Sequence, residues 1–238
     1  MMLDIWGQIY RDHWRGDPHP HVFERDDGNR NHVASAAGYF IAPRDEADRA
    51  ALERLAGRVL DLGCGVGSYA RFLEECGCEV VAVDASPGAI AVCQERGCRD
   101  ARTLEIDHVS AELGGFDAVI CMGNTFGIDA APDTLPHRLT RVRSILAPNG
   151  TLVLALLDPL AATDPAHLGY HERNRAADRS PGMVTARIHY RGSVSDWWTL
   201  WMPTPDELRA AASLAEFDVE RATPAGNSVV YELTPWPS

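Results

Sequence analysis

From Arg58 onward, apolar residues along the chain follow two alternating rhythms. RVLDL (58–62), EVVAVD (79–84), FDAVICMG (116–123) and GTLVLALLD (150–158) are short apolar runs, the pattern of strands buried on both faces. Between them, GSYARFLEECG, SPGAIAVCQERG and DTLPHRLTRVRSIL space their apolar positions three and four apart, which predicts amphipathic helices. Ser86 is the expected N-cap of the second helix, with Pro87 at its first position. ARTLEID adds a further short strand. Strands alternating with helices require a parallel sheet covered on both faces, with right-handed crossovers.

The rhythm changes after Asp158. A polar, proline-broken stretch runs to Gly182, and MVTARIHYRG and SVSDWWTLWMP then read as an antiparallel pair turning near Gly192. TPDELRAAASLAE is a helix opened by Thr204 with Glu207 three residues on, and FDVERAT and SVVYELT form a hairpin through PAGN. Before Arg58 the chain reads as a helical, partly irregular prelude. It is divided by GDPHPH and IAPRDE and closed by the helix ADRAALERLAG, which Gly57 stops. The expected division is a helical lid over 1–57 and a main domain over 58–238, with a substrate-side insertion at about 159–203.

Charge narrows the partners. With 22 basic and 34 acidic residues the net charge is −12, which repels phosphate backbones and anionic membranes, so neither nucleic acid nor membrane is an expected partner. The nearest thing to a basic patch, HRLTRVRS, is expected to be three arginines on the wet face of an amphipathic helix. No window reaches the roughly 18 unbroken apolar residues of a membrane span, and the start carries no signal pattern, so the expected location is the cytoplasm. The six cysteines form no C-x-x-C pair and sit in apolar or helical pattern; buried thiols are expected, with no disulfide frame and no metal site.

Candidate chemistry concentrates in the corner after the first buried strand. Gly63, Gly65 and Gly67 fall where that strand turns into its helix, at the carboxyl edge of a parallel sheet, where open α/β sheets bind ligands. Twenty-one residues after Gly63, Asp84 ends the next strand, and an acid there can accept hydrogen bonds from both hydroxyls of a ribose. The spacing is G-x-G-x-G rather than the G-x-G-x-x-G of dinucleotide sites, and Asp61 stands two residues ahead of the first glycine. An acid beside the loop suits a ligand with a cationic end and suits a diphosphate poorly. S-adenosylmethionine, with an ammonium, a sulfonium and no phosphate, meets that demand.

The segment VLDLGCGVG (59–67), Asp84, the pair Ile106-Asp107 and the pair Phe116-Asp117 together resemble the class I S-adenosylmethionine-dependent methyltransferases. The likeness runs from Arg58 to Asp158, and again over the closing helix and hairpin. It implies a doubly wound α/β fold, with a seven-stranded, mostly parallel sheet whose last strand is antiparallel. The N-terminal helices and the inserted strand pair are additions to it. It further implies that the backbone at Gly63, Cys64, Gly65 and Gly67 holds the methionine end of the cofactor beside Asp61, and that Asp84 and Ala85 meet the ribose. Asp107 and the amide of His108 would meet the adenine; Met122, Gly123 and Asn124 would line the far side of the methyl donor. Tyr10 and Trp14, four residues apart on a helix, are expected to close over the cofactor. The product would be S-adenosylhomocysteine.

The acceptor is less legible. Methyl transfer from a sulfonium demands alignment in a dry pocket, with a base only where the acceptor must lose a proton. His108, His137, His171 and His189 are candidate bases, and Asn124, in GNTFG, is a candidate for orienting a polar acceptor. His108 has the alternative of packing against the purine, and Asn124 that of bonding its own turn. GNTFG departs from the Asn-Pro-Pro-aromatic signature of nucleic-acid amino-methyltransferases. In DWWTLWM, strand alternation puts Trp197 and Trp201 on one face and Trp198 with Met202 on the other, one of which can wall an acceptor. The expected activity is methyl transfer to oxygen or nitrogen of a small molecule by a monomer or homodimer. The alternatives are cofactor binding without transfer, or nicotinamide-dependent oxidoreduction.

Overall fold

Two sheets organise residues 4–237, the residues this computed structural model describes. In chain order the elements are helix α1 (Ile5–Trp14), strands β1 (His21–Arg25) and β2 (Arg30–Val33), helix α2 (Glu46–Leu52), strand β3 (Arg58–Leu62), helix α3 (Ser68–Glu75), strand β4 (Glu79–Asp84) and helix α4 (Pro87–Glu95). Strands β5 (Ala101–Thr103) and β6 (Phe116–Cys121), helix α5 (Leu135–Ile145), strand β7 (Leu146–Leu157) and helix α6 (Pro165–Ala176) come next. Strands β8 (Met183–Tyr190), β9 (Ser193–Val194) and β10 (Trp198–Trp201), helix α7 (Pro205–Leu214) and strands β11 (Phe217–Ala225) and β12 (Ser228–Pro235) complete the chain.

The larger sheet has seven strands in the order β11-β12-β7-β6-β3-β4-β5. Its central neighbours run parallel, while β12 lies antiparallel to both β7 and β11, as the seven-stranded expectation requires. Alternate residues of one strand feed opposite faces. Leu60, Leu62, Val81, Val83 and Val119 pack in one cluster with Leu139 and Val142 of α5 and Leu208 and Ala212 of α7. Val59, Val80, Ala82 and Ile120 pack in another with Leu52 of α2, Ala70 and Leu73 of α3 and Cys93 of α4. The caps follow the sequence: Ser86 Oγ accepts from Ala89 N with Pro87 at the first position of α4, and Thr204 and Glu207 form a reciprocal capping box on α7. All six cysteines are free and five are buried, Cys76 being exposed. No helix among the described residues is long and apolar enough to cross a membrane.

Outside that sheet three expectations are corrected. Residues 1–57 are not helical throughout: β1 and β2 form an antiparallel hairpin that joins the inserted strands in a second sheet of order β10-β8-β1-β2, with β9 on β8. Val22 pairs with His189 and Phe23 with Ile188, so this sheet is closed by residues more than 150 positions apart. The proline-broken stretch contains α6, with Asp164 as N-cap and Pro165 at its first position, where a missing N–H costs nothing. HRLTRVRS is not three wet arginines, because Arg138 is 4% exposed. Its guanidinium chelates both carboxylate oxygens of Asp107 at 2.9 and 2.8 Å and donates to the carbonyls of Phe126 and Ile128 at 3.0 and 2.7 Å. Arg138→Met should therefore cost about 3 kcal/mol of stability by stranding those acceptors, read as a lowered denaturant midpoint.

The second sheet is fastened over the carboxyl edge of the first at both ends. At one end β10 lies against the loop after β6: Asp129 N donates to Thr199 O at 2.7 Å, and Asn124 Nδ2 to Trp201 O at 3.3 Å. Trp201 is buried in the main core and its indole N–H donates to Ser180 Oγ. At the other end α1 sits on α4. Asp4 caps α1 through Gly7 N and also accepts from Ser86 Oγ at 2.6 Å and Gly88 N at 2.8 Å. The two helices cross so closely that a Cβ on Gly88 would lie 2.6 Å from the Cα of Gly7. Between these ends Ile188 and Tyr190 of β8 share a cluster with Ile5 and Ile9 of α1 and with Val66 of the glycine loop.

Candidate functional site at the carboxyl edge of the large sheet

The corner between β3 and α3 explains its three glycines separately. All have positive φ, +79° at Gly63, +54° at Gly65 and +74° at Gly67. A Cβ on Gly67 would stand 2.5 Å from Cys93 Sγ, and one on Gly63 would run into Thr125, so these two glycines serve packing. A Cβ on Gly65 would meet nothing within 4 Å. Gly65 is therefore the point where the backbone faces open space, and something from outside the chain can lie against it. Gly67→Ala should destabilise the fold, whereas Gly65→Ala should cost only the left-handed strain of about 1 kcal/mol while blocking that approach. Thermal melts set beside calorimetry with S-adenosylhomocysteine separate the two effects.

Two carboxylates flank the loop. Asp61 is 1% exposed, and among the described residues its Oδ2 has no hydrogen-bond partner. Burial, and then the negative charge of Asp84, push its carboxyl up to about 7. A buried, proton-hungry oxygen of this kind can accept a hydrogen bond from a cationic donor. Asp84 ends β4 half-buried and braces the loop, accepting from Gly65 N at 2.9 Å and Ser86 N at 2.8 Å. Burial raises its carboxyl too. Each of its oxygens keeps a free lone-pair position. Ala85 beside it is exposed.

The residues beyond the loop divide. Met122 is buried in the core, and Gly123 is exposed. A Cβ on Gly123 would lie 2.5 Å from a guanidinium nitrogen of Arg44. Arg44 donates to Tyr69 Oη at 3.0 Å and brings a cation to this edge. It lies in IAPRDE, which reads as a divider, and had no periodic signal to mark it. Tyr10 is buried, with its hydroxyl kept protonated by burial and by the nearby charge of Asp84. Trp14 departs from the expected lid: its indole donates to Glu95 at 2.8 Å and its ring stacks on Phe40. The helical neighbour of Tyr10 on this side is Trp6, stacked at 5.5 Å.

The other candidates are already engaged or lie apart. Both oxygens of Asp107 belong to Arg138, which holds its carboxyl below the usual range. His108 is exposed and its amide donates to Glu105 O. Asn124 is 3% exposed with φ +65°; Oδ1 accepts from Leu157 N at 3.0 Å while Nδ2 faces Trp201 O, so the amide ties three backbone segments together. His189 pairs with Glu24 beside Arg187. His137 is exposed on α5, and His171 is buried on α6. Trp197 is exposed beneath Arg187, and Trp198 packs on the cluster formed by α1 and β8. Two open surface pockets, beside Glu74 and Arg99 and beside Arg209 and Trp236, lie away from this edge.

Comparison with known proteins agrees with this geometry. A family described as a methyltransferase domain matches residues 59–150. The chain is 35% identical over 116 residues to a ubiquinone biosynthesis O-methyltransferase of Xanthomonas axonopodis pv. citri, covering 46% of each. It is 36% identical over 114 residues to glycine N-methyltransferase of Mus musculus, covering 41% of this chain and 39% of that one. The match thus spans less than half the length of these relatives. In fold, a Bacteroides fragilis S-adenosylmethionine-dependent methyltransferase solved with S-adenosyl-L-homocysteine superposes over 100% of this chain and 98% of its own, with TM-score 0.82 and 21% identity. The CcbJ methyltransferase of Streptomyces caelestis covers 79% of this chain and 87% of its own, with TM-score 0.62 and 18% identity. The methyltransferase-domain match over residues 59–150, the shared sheet architecture and the glycine corner ahead of Asp84 make the chain similar to the class I S-adenosylmethionine-dependent methyltransferases.

Proposed function

We propose that this protein transfers the methyl group of S-adenosylmethionine to an oxygen or nitrogen of a small molecule. The observation that carries the reading is the unpaired oxygen of buried Asp61, at the end of the strand that leads into a glycine corner whose Gly65 faces open space. An ammonium supplies what that oxygen lacks, and a diphosphate would repel it. In this reading the backbone from Gly63 through Cys64 to Gly67 lies along the methionine end, with Asp61 facing its ammonium and Arg44 its carboxylate. Asp84 and Ala85 hold the ribose, and the Asp107–Arg138 pair with His108 shapes the wall for the adenine. Met122 and Gly123 lie beyond, Asn124 fixes the turn that they belong to, and Tyr10 with Trp6 covers the bound group. The sulfonium supplies an activated methyl group; the chain's own task is to align an acceptor with it and to exclude water.

The names of the relatives span an oxygen and a nitrogen acceptor, and the strands of the second sheet lie outside the matched domain of residues 59–150, which leaves acceptor choice to β1, β2, β8 and β10. Calorimetry with S-adenosylhomocysteine, followed by release of S-adenosylhomocysteine from the methyl donor in the presence of metabolite pools, tests the reading. Heat of binding and release support transfer. Binding without release assigns the chain to cofactor binding alone, and no heat with either compound overturns the site.

A further inference from the structure

His21 has both ring nitrogens buried at 0% exposure, and among the described residues neither has a hydrogen-bond partner. An unpaired buried polar group costs about 1–3 kcal/mol, and phenylalanine would fill the same space without that cost. The ring looks out from the face of the second sheet that packs toward α1. Phe23, on the same face of β1, is 5.5 Å away, and Trp6 of α1 presents an edge at 6.0 Å. Trp6 continues to Tyr39 at 5.4 Å and Tyr10 at 5.5 Å, and Tyr10 stands near the charge of Asp84. Trp198 lies on the same face, opposite Ala186 of β8. A run of aromatic rings thus leads from the ribose acid to an imidazole with two free nitrogens.

The titratable groups around that face leave the imidazole neutral. Burial alone lowers its basicity. Tyr10 and Tyr39 keep their protons because they are buried, Tyr190 of β8 donates its hydroxyl to Asp12, and Arg25 of β1 is held by Asp27.

We infer that His21 is the base of an acceptor site for an aromatic hydroxyl, whose ring lies among Trp6, Phe23 and Tyr39 and whose oxygen meets a ring nitrogen of His21. The assignment rests on the methyl-transfer reading above. Flat apolar walls suit an aryl ring, and among the described residues no carboxylate bonds His21 to hold a cationic amine. A phenolic proton, with pKa about 10, is within reach of a neutral imidazole, whereas an aliphatic hydroxyl lies nearer the value of about 15.7 for water. In the step, the acceptor O–H proton passes to His21 as the O–CH3 bond forms. The CH3–S bond breaks with its electron pair left on sulfur, and the imidazolium then returns its proton to solvent.

The test uses the full chain, with 4-methylphenol, 4-nitrophenol and 4-methylcyclohexanol as probes. Wild type should release S-adenosylhomocysteine with the phenols and not with the cyclohexanol. His21→Gln should keep its affinity for S-adenosylhomocysteine within about twofold and lose at least about 100-fold in kcat with 4-methylphenol, the usual worth of a general base. With 4-nitrophenol, which ionises unaided, it should lose much less; a merely structural role would not produce that split. Should the variant fail to fold, 13C-labelled histidine in wild type decides. The His21 resonance should move when 4-methylphenol is added to the S-adenosylhomocysteine complex. Equal kcat in His21→Gln, no turnover of any phenol, or an unmoved His21 resonance overturns the assignment. Failure of wild type to bind S-adenosylhomocysteine overturns the methyl-transfer reading itself.

Discussion

Asp84→Ala should weaken binding of S-adenosylhomocysteine by roughly 10- to 150-fold, the factor that follows from losing about 1.5–3 kcal/mol of hydrogen bonding to a charged group. The carboxylate does two things at once. It holds the loop by accepting from Gly65 N and Ser86 N, and in the proposed site its free lone pairs take a pair of vicinal hydroxyls. Alanine removes both, so Gly65 loses its brace at the point where the backbone faces open space. Asp84→Asn, with one acceptor oxygen in place of two, should fall between. Calorimetry at pH 7.5 gives the affinities, and the thermal midpoint should drop in Asp84→Ala by an amount matching about 1–2 kcal/mol. Unchanged affinity in a folded Asp84→Ala would remove Asp84 from the site.

What the sequence made legible was local. The strands and helices from Arg58 to Leu157 announce themselves because each carries its own period, and the corner at Gly63–Gly67 because positive φ over several residues leaves few choices but glycine. The second sheet was not legible because its information is not local. HVFER is too short to declare a strand, and becomes one by pairing with Arg187, Ile188 and His189. The same distance hid the setting of His21: HPH reads as a turn between helices, and only the register of β1 turns His21 toward Trp6. Arg138 read as a surface residue by helical spacing, and no pattern shows that Asp107 and two carbonyls wait for it. Asp164-Pro165 read as a break when it is a beginning, since proline is tolerated in the first turn of a helix and breaks its interior. Residues such as Asn124 show the converse: a polar side chain at the edge attracts a catalytic reading, and its satisfied hydrogen bonds give it a structural one.

Asp61→Asn should uncouple stability from affinity, stabilising the free protein while weakening its grip on the cofactor. In the free protein Asp61 titrates at about 7 against 3.8 for an ordinary aspartate. Between those values the native state holds a proton that the unfolded state has lost. Stability therefore falls as pH rises through this window and levels off above about 7. At about 1.4 kcal/mol for each pH unit the full penalty is on the order of 4 kcal/mol by pH 8. Asparagine carries no charge and escapes most of it, so the variant should melt above wild type at pH 8 and alongside it near pH 4. Cofactor binding should show the reverse. The ammonium requires the carboxylate, so below pH 7 it must displace the proton, and wild-type affinity should rise severalfold from pH 6 to pH 8, with a proton released to buffer on binding. Asp61→Asn should bind at least about 10-fold more weakly at pH 8, the loss of one charge-assisted hydrogen bond, with no dependence on pH and no proton release. Asp84 links this experiment to the first, since its charge helps raise Asp61. In Asp84→Ala the stability loss between pH 4 and pH 8 should shrink. Equal pH profiles for wild type and Asp61→Asn would show that the buried oxygen has a partner already, and the cationic end of the ligand would have to be sought elsewhere along the loop.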